Sequence, residues 1–269
     1  MTTKAKATVE RGQDRAPASV ELAPQADSSS TTPAPRASRL GTLSVLIPVY
    51  NEHAALLSLL ERVRAVPVEK QILLVDDAST DGTTELLRTQ VEGHFSDVQV
   101  YYHTKNQGKG AAIRTAIPHA TSDYSIIQDG DLEYDPQDYL TILKEFQQPG
   151  VQVVYGSRFL RGWPKMRFAN RLINRLLPWL VKVMFGASIT DEATCYKAFR
   201  TELLQSIPLT CCRFEFCPEV TAKVLRRGVK IVEVPIHYEA RSMEEGKKIR
   251  WTDGVAAIWT LIKYRFARF

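Results

Sequence analysis

From Leu43 onward the chain alternates short apolar runs with stretches of helical spacing, and this alternation constrains the fold more than any other feature. Leu43–Val49, Gln71–Asp77, Val98–His103, Tyr124–Gln128 and Val151–Gly156 each read as a buried strand. Between them, Glu52–Val66, Thr83–Val91, Gly108–Ala120 and Pro136–Gln147 space their apolar residues three and four apart, as Leu56, Leu59, Leu60 and Val63 do. Such alternation predicts an α/β domain with a mostly parallel central sheet. After residue 160 it loosens. Phe168–Phe185 reads as a helix interrupted by Pro178, Glu215–Arg227 as a helix, Val229–Pro235 as a strand and Thr252–Phe269 as a last amphipathic helix. The expected division is a tail over 1–42, a domain over 43–250 and a C-terminal helix over 251–269.

Residues 1–42 are rich in Ala, Ser, Thr and Pro, and bury too little apolar surface to offset chain entropy, so a disordered tail is expected. No apolar segment follows Lys4 and Lys6, so the start does not read as a secretory signal, and Glu10, Asp14, Glu21 and Asp27 argue against a transit peptide. No apolar run reaches the ~18 residues of a membrane span. Cys195, Cys211, Cys212 and Cys217 lack zinc-site spacing and read as thiols of a reducing compartment.

The net charge of +5 conceals a separation. Residues 43–150 carry 8 basic against 16 acidic residues, and residues 151–269 carry 21 against 10. A chain divided in this way is expected to handle a cation in one half and an anion in the other.

In an open α/β sheet, ligands sit beyond the carboxyl ends of the strands. Three of the first four strand ends carry carboxylates: Asn51-Glu52, Asp76-Asp77 and Asp129-Gly130-Asp131. Two carboxylates separated by one small residue suit a hard divalent cation, Mg²⁺ or Mn²⁺, that also holds nucleotide phosphates. The Asp76-Asp77 end offers acceptors to a base or ribose, and Asp81 reads as the N-cap of the following helix. Gly108-Lys109-Gly110 opens a helix, where backbone N–H groups and a lysine would meet phosphate. Its spacing is not that of a Walker loop.

Taken in order, Ile47-Pro48-Val49-Tyr50-Asn51-Glu52, Val75-Asp76-Asp77-Ala78-Ser79-Thr80-Asp81-Gly82, Asn106-Gln107-Gly108-Lys109-Gly110 and Asp129-Gly130-Asp131-Leu132 resemble the family 2 inverting glycosyltransferases, most closely the dolichyl-phosphate mannose synthase group. The resemblance covers about residues 43–250. It implies a GT-A-type nucleotide-sugar-binding domain. It also implies roles: Pro48, Tyr50, Glu52, Asp77, Asp129 and Asp131 at the donor, with Asp129, Asp131 and Glu133 at the metal; Lys109, from its helix start, and Gly130, between the two aspartates, complete the expected donor set. Arg158, within Gly156-Ser157-Arg158-Phe159, would face donor and acceptor phosphates, and Arg241 and Lys247 with Lys248 would close over phosphate. Asp191 opens Asp191-Glu192-Ala193-Thr194-Cys195-Tyr196, where Cys195 stands in place of the usual glycine. Asp131, Arg158 and Asp191 are the expected catalytic set.

The basic half then fits an anionic lipid acceptor, with Arg158, Arg171, Arg241 and Lys247 as candidates for its phosphate. Arg167–Phe185 and Ala256–Phe269 mix Arg and Lys with Trp, Phe and Leu, as an interfacial helix does. The expectation is transfer of mannose or glucose, from GDP-mannose or UDP-glucose, to a polyprenyl phosphate by a peripheral enzyme at the cytoplasmic membrane face, with a membrane-anchored partner subunit as a further expectation. The alternative is a hydroxyl acceptor in glycolipid or surface-polysaccharide synthesis. That acceptor needs a general base, with Asp191 or Glu192 first in line. A phosphate needs none, because it is already an anion. No nucleic-acid motif is present, and the acidic strand ends have no role in such a reading.

Overall fold

The computed structural model describes residues 40–163, 168–240 and 251–267, with the backbone alone at 168, 169 and 251–253. Most of the N-terminal tail, Arg241, Lys247 and Lys248 therefore lie outside the described residues.

Seven strands form one sheet in the order β3-β2-β1-β4-β6-β5-β7. They are β1 (Leu43–Val49), β2 (Lys70–Asp76), β3 (Val98–Tyr102), β4 (Tyr124–Ile127), β5 (Val153–Ser157), β6 (Lys197–Arg200) and β7 (Ile231–Pro235). The neighbours β3-β2, β2-β1, β1-β4 and β5-β7 run parallel, and β6 lies antiparallel between β4 and β5. The α/β class and the mostly parallel sheet are as the sequence predicts. Strand β6 escapes sequence reading because Lys-Ala-Phe-Arg is too short to show a period, and because Lys197 is wholly buried.

The helices are α1 (Leu56–Ala65), α2 (Thr83–Gln90), α3 (Lys109–Ala116), α4 (Tyr139–Glu145), α5 (Phe168–Phe185), α6 (Thr201–Ser206), α7 (Phe216–Arg226) and α8 (Trp251–Phe266). Helix α1 begins four residues after the expected Glu52, because the chain from Tyr50 to Ala55 is used at the strand end. Helix α3 tightens to a 3-10 turn at Ile117–His119, where Pro118 brings no N–H to continue the α ladder.

Pro178 does not interrupt α5, contrary to expectation. It forgoes one backbone bond, but Leu177 and Val181 beside it are buried with Ala222 of α7 and Ala257, Leu261 and Tyr264 of α8. This small core ties α5, α7 and α8 together. The main core covers both faces of the sheet and includes Val45, Ile47, Leu56, Leu59, Leu73, Ile113, Ile126 and Val153. Burying such side chains stabilises the fold by about 1.5–3 kcal/mol each.

Candidate active site

The carboxyl end of β1 is fastened to that of β2. Asn51 adopts a φ of 53°, uncommon for a residue with a side chain, and its N–H donates to Ser79 Oγ at 2.9 Å. Its Oδ1 accepts from the Thr80 N–H at 2.7 Å, and the Glu52 N–H donates to Thr83 Oγ1 at 3.1 Å. Asp81 is not the N-cap of α2: Gly82, with φ 94°, holds that position without a side-chain cap, and Asp81 one residue earlier accepts from the Thr83 N–H through Oδ1 at 3.0 Å. Asp76 and Asp77 are both buried, and they divide the work. Asp76 accepts from Ser79 and Thr84. Asp77 Oδ1 accepts from the Gln107 N–H at 2.8 Å and faces His103 Nδ1 at 2.7 Å. Its Oδ2 accepts from the Gly108 N–H at 2.7 Å.

Asp77 thus fixes the loop that carries Lys109. The Lys109 ammonium forms an ion pair with Asp129 and lies 3.7 Å from Cys195 Sγ. Burial pushes its pKa down, but the Asp129 charge outweighs this and holds it well above the usual lysine value. Asp131 Oδ1 accepts from the Glu133 N–H at 3.0 Å, and Glu133 Oε2 accepts from the Tyr238 hydroxyl at 2.8 Å. Gly130 is buried between the two aspartates. A methyl there would come within 3.3 Å of the Pro48 carbonyl, so the Asp-x-Asp turn lies hard against the end of β1.

A cavity of about 390 Å³ opens here, and every expected donor residue lines it: Pro48, Tyr50, Glu52, Asp77, Lys109, Asp129, Gly130 and Asp131. Its size falls within the range of small-molecule sites. The expected metal set, Asp129, Asp131 and Glu133, also lies on its wall. Among the described residues no three His, Cys, Asp or Glu side chains converge as a closed cage. Such a donor set still fits Mg²⁺ or Mn²⁺, which are commonly held by one or two carboxylates together with the phosphates of a nucleotide.

One expectation is overturned. The Gly110 and Ala111 N–H groups at the start of α3 are not offered to phosphate, because the 208–214 loop has taken them. The Gly110 N–H donates to the Arg213 carbonyl and the Ala111 N–H to the Cys212 carbonyl, both at 3.0 Å. Gly108 has φ 95°, and a Cβ there would lie 2.5 Å from the Cys212 carbonyl oxygen. The two glycines serve close approach of this loop, which brings Arg213 and Phe214 to the cavity wall. Glu219 of α7 holds the loop from behind, accepting from the Thr210 N–H at 2.8 Å and the Cys211 N–H at 2.7 Å. Sequence reading missed Arg213 and Phe214, because they follow a loop rather than a strand.

A second cavity, about 160 Å³, shares Lys109, Asp129, Glu133 and Phe214 with the first. Its wall is largely apolar, with Ile173 and Leu177 of α5, Phe216 and Pro218 of α7, and Ala257 of α8; Arg158, Tyr238 and Glu192 add polar groups. Arg158 is gripped by Asp191 through Nε and NH2, both at 2.7 Å, and its own N–H donates to Asp191 Oδ2 at 3.0 Å. Asp191 is held in turn by Glu233 of β7, whose carboxylate accepts from the Thr190 and Asp191 N–H groups at 2.7 and 3.0 Å. With both oxygens bonded to Arg158, Asp191 holds that guanidinium in one orientation.

Glu192 differs. It is 1% exposed, and neither carboxylate oxygen has a hydrogen-bond partner among the described residues. Burial raises its pKa to about 7; Lys197 and the Thr221 hydroxyl favour the charged form without overcoming burial. Arg171, expected at the acceptor phosphate, does not line this cavity. Its guanidinium lies over the Trp163 ring at 5.2 Å, beside Arg175 at 5.0 Å. Arg241 and Lys247 lie outside the described residues.

A model of glycosyl transferase family 2 matches residues 44–207. An undecaprenyl-phosphate mannosyltransferase from Micrococcus luteus is 30% identical over 243 residues, spanning 82% of this chain and 97% of that protein. An undecaprenyl-phosphate 4-deoxy-4-formamido-L-arabinose transferase from Enterobacter sp. is 30% identical over 211 residues, or 76% of this chain and 62% of that relative's length. Glucosyl-3-phosphoglycerate synthase from Mycobacterium tuberculosis, solved with Mn²⁺, uridine diphosphate and glucosyl-3-phosphoglycerate, superposes with a TM-score of 0.65 at 20% identity, covering 85% of this chain and 81% of that one. Mannosyl-3-phosphoglycerate synthase from Rubrobacter xylanophilus gives 0.63 at 19% identity, covering 83% and 72%. These structures share the GT-A sheet. The family match spans more than half of the chain and contains the strand ends from Pro48 to Asp131 that build the first cavity, so this chain belongs to glycosyl transferase family 2 and is a glycosyltransferase.

Proposed function

We propose that this enzyme moves a hexose, mannose or glucose, from a nucleotide sugar to a polyprenyl phosphate at the cytoplasmic face of a membrane. The observation that carries the reading is the junction of the two cavities. One is walled by carboxylates at strand ends, the other is mostly apolar with Arg158 on its wall, and they meet at Lys109, Asp129, Glu133 and Phe214. A sugar bound at that junction would have a nucleotide on one side and an anionic lipid head on the other. The undecaprenyl-phosphate mannosyltransferase relative supports the acceptor class.

Asp129 and Asp131 would hold Mg²⁺ or Mn²⁺ together with the donor diphosphate. Bound there, the ion supplies positive charge to the departing nucleoside diphosphate. The protein's own groups do the rest. Arg158, rigid in the grip of Asp191, aligns the acceptor phosphate by paired N–H donors and offsets its charge near the donor. The phosphate oxygen attacks the anomeric carbon as the bond to the diphosphate breaks, in one inverting displacement with no covalent enzyme intermediate. No group need remove a proton, which suits an Asp191 whose oxygens are both bonded.

The outer faces of α5 and α8 support a membrane surface. Leu172, Trp179 and Val183 on α5, and Val255, Trp259 and Phe266 on α8, are exposed at 53–75%, while the opposite faces are buried in the shared core. Among the described residues no helix is long and apolar enough to cross a membrane. A membrane-anchored partner subunit would meet the same surface.

Mass spectrometry of lipid products, after incubation with a panel of nucleotide sugars and a polyprenyl phosphate, tests the proposal. The expected product is a polyprenyl phosphosugar that mild acid cleaves. An acid-stable glycoside would instead favour a hydroxyl acceptor, for which Glu192, with its pKa near 7, is the available base.

A further inference from the structure

Among the described residues, the wall of the first cavity carries five carboxylates, Glu52, Asp77, Asp129, Asp131 and Glu133, and two cations, Lys109 and Arg213. Lys109 is paired with Asp129. A sugar nucleotide brings further negative charge to this wall, and more develops on its diphosphate as the glycosidic bond breaks.

Arg213 is placed to answer it. Its guanidinium has no carboxylate within ion-pair distance among the described residues. Its backbone is nonetheless fixed at both ends: the N–H donates to Glu215 Oε2 at 2.9 Å, and the carbonyl accepts from the Gly110 N–H at 3.0 Å. The start of its side chain is fixed as well, since a Cβ on Gly108 would lie 2.9 Å from Arg213 Cγ. A solvated surface arginine is seldom held in this way. Here a glycine is required beneath the side chain, and the loop is clamped by a buried glutamate from α7.

We propose that Arg213 binds the diphosphate of the nucleotide sugar and carries part of the charge of the leaving nucleoside diphosphate. Its guanidinium donates parallel hydrogen bonds to phosphate oxygens, and it also replaces the N–H donors that the same loop withdraws from the start of α3. The inference rests on the nucleotide-sugar reading of the first cavity, but not on the identity of the acceptor.

Calorimetric titration of the full chain with GDP and with UDP, each with Mn²⁺, tests it without turnover. For whichever nucleotide the wild type binds, Arg213→Met is expected to weaken affinity by about tenfold or more, the usual scale for a charge-assisted bond. Affinity for the matching nucleoside should be unchanged. Arg213→Lys should recover part of the loss, as a point charge replaces the planar fork. The thermal midpoint should not move, because the side chain is exposed. Equal diphosphate affinity in wild type and Arg213→Met overturns the inference. A parallel loss for the nucleoside also overturns it, since the residue would then be shaping the cavity rather than binding phosphate. If the wild type binds neither diphosphate, the donor reading itself fails.

Discussion

Asp191 and Arg158 form a planar, two-bond pair at 2.7 Å, with Asp191 wholly buried and Arg158 nearly so. A pair of this kind is rigid, because each planar group leaves the other one favoured orientation. Arg158→Lys keeps the charge and loses the fork. It should lower kcat on the order of 100-fold, with nucleotide affinity unchanged in titration. Asp191→Ala leaves a buried guanidinium without its counter-charge. It should cost about 3–5 kcal/mol in denaturant unfolding. A stable Asp191→Ala variant with normal turnover would remove both residues from the proposed site.

Asp131 lies on the wall of the first cavity and accepts from the Glu133 N–H. Asp131→Asn should reduce transfer by about 100-fold or more while circular dichroism stays native. A chelator should abolish wild-type activity, with recovery on adding Mg²⁺ or Mn²⁺. Full activity in chelator would exclude the ion from the reaction.

Gly108 supports the Arg213 loop from below. Gly108→Ala forces a side chain into a φ of 95° and into the Cys212 carbonyl. The variant should lose about 1–3 kcal/mol of stability and bind nucleotide more weakly, because Arg213 and Phe214 move. Gly150→Ala is the control. It has φ 80° with no atom within 4 Å of the added Cβ, so strain should appear in the melting curve and nucleotide affinity should remain.

The buried Glu192 makes stability depend on pH. Its folded pKa of about 7 stands above its ordinary 4.5, so the folded protein holds a proton that the unfolded chain releases. Stability is full below about pH 4.5 and falls as pH rises through 7, by about 3 kcal/mol in all. Glu192→Gln removes this slope. The difference in unfolding free energy between variant and wild type should therefore grow in the variant's favour from pH 5 to pH 8. A difference independent of pH would show that Glu192 is ionised throughout.

Trp179 and Trp259 stand 57% and 65% exposed on α5 and α8. Replacing each by serine should weaken binding to anionic phospholipid vesicles by about tenfold and leave turnover of a short, water-soluble polyprenyl phosphate unchanged. Unaltered vesicle binding in the double variant would place the membrane surface elsewhere.

The sequence by itself determined the parallel strands of the sheet and the strand-end wall of the first cavity. Strand–helix alternation reads directly from local apolar spacing, and in a parallel sheet all strand ends on one edge face one crevice. Pro48, Tyr50, Asp77 and Asp131 could therefore be placed together without knowing any long-range contact. What depended on contacts far apart in the chain was decided by the tertiary structure alone. Strand β6 exists because β4 and β5 flank it, and α5 passes through Pro178 because α7 and α8 cover it. Gly108 and Gly110, read as a phosphate-binding helix start, proved to be the seat of a loop some 100 residues away. Arg171, chosen for its charge, lies on Trp163, while Arg213, with no motif to mark it, reaches the cavity. The difference is physical: spacing along a chain reveals which face a residue shares with its neighbours, but a loop's position follows from packing that only the folded molecule contains.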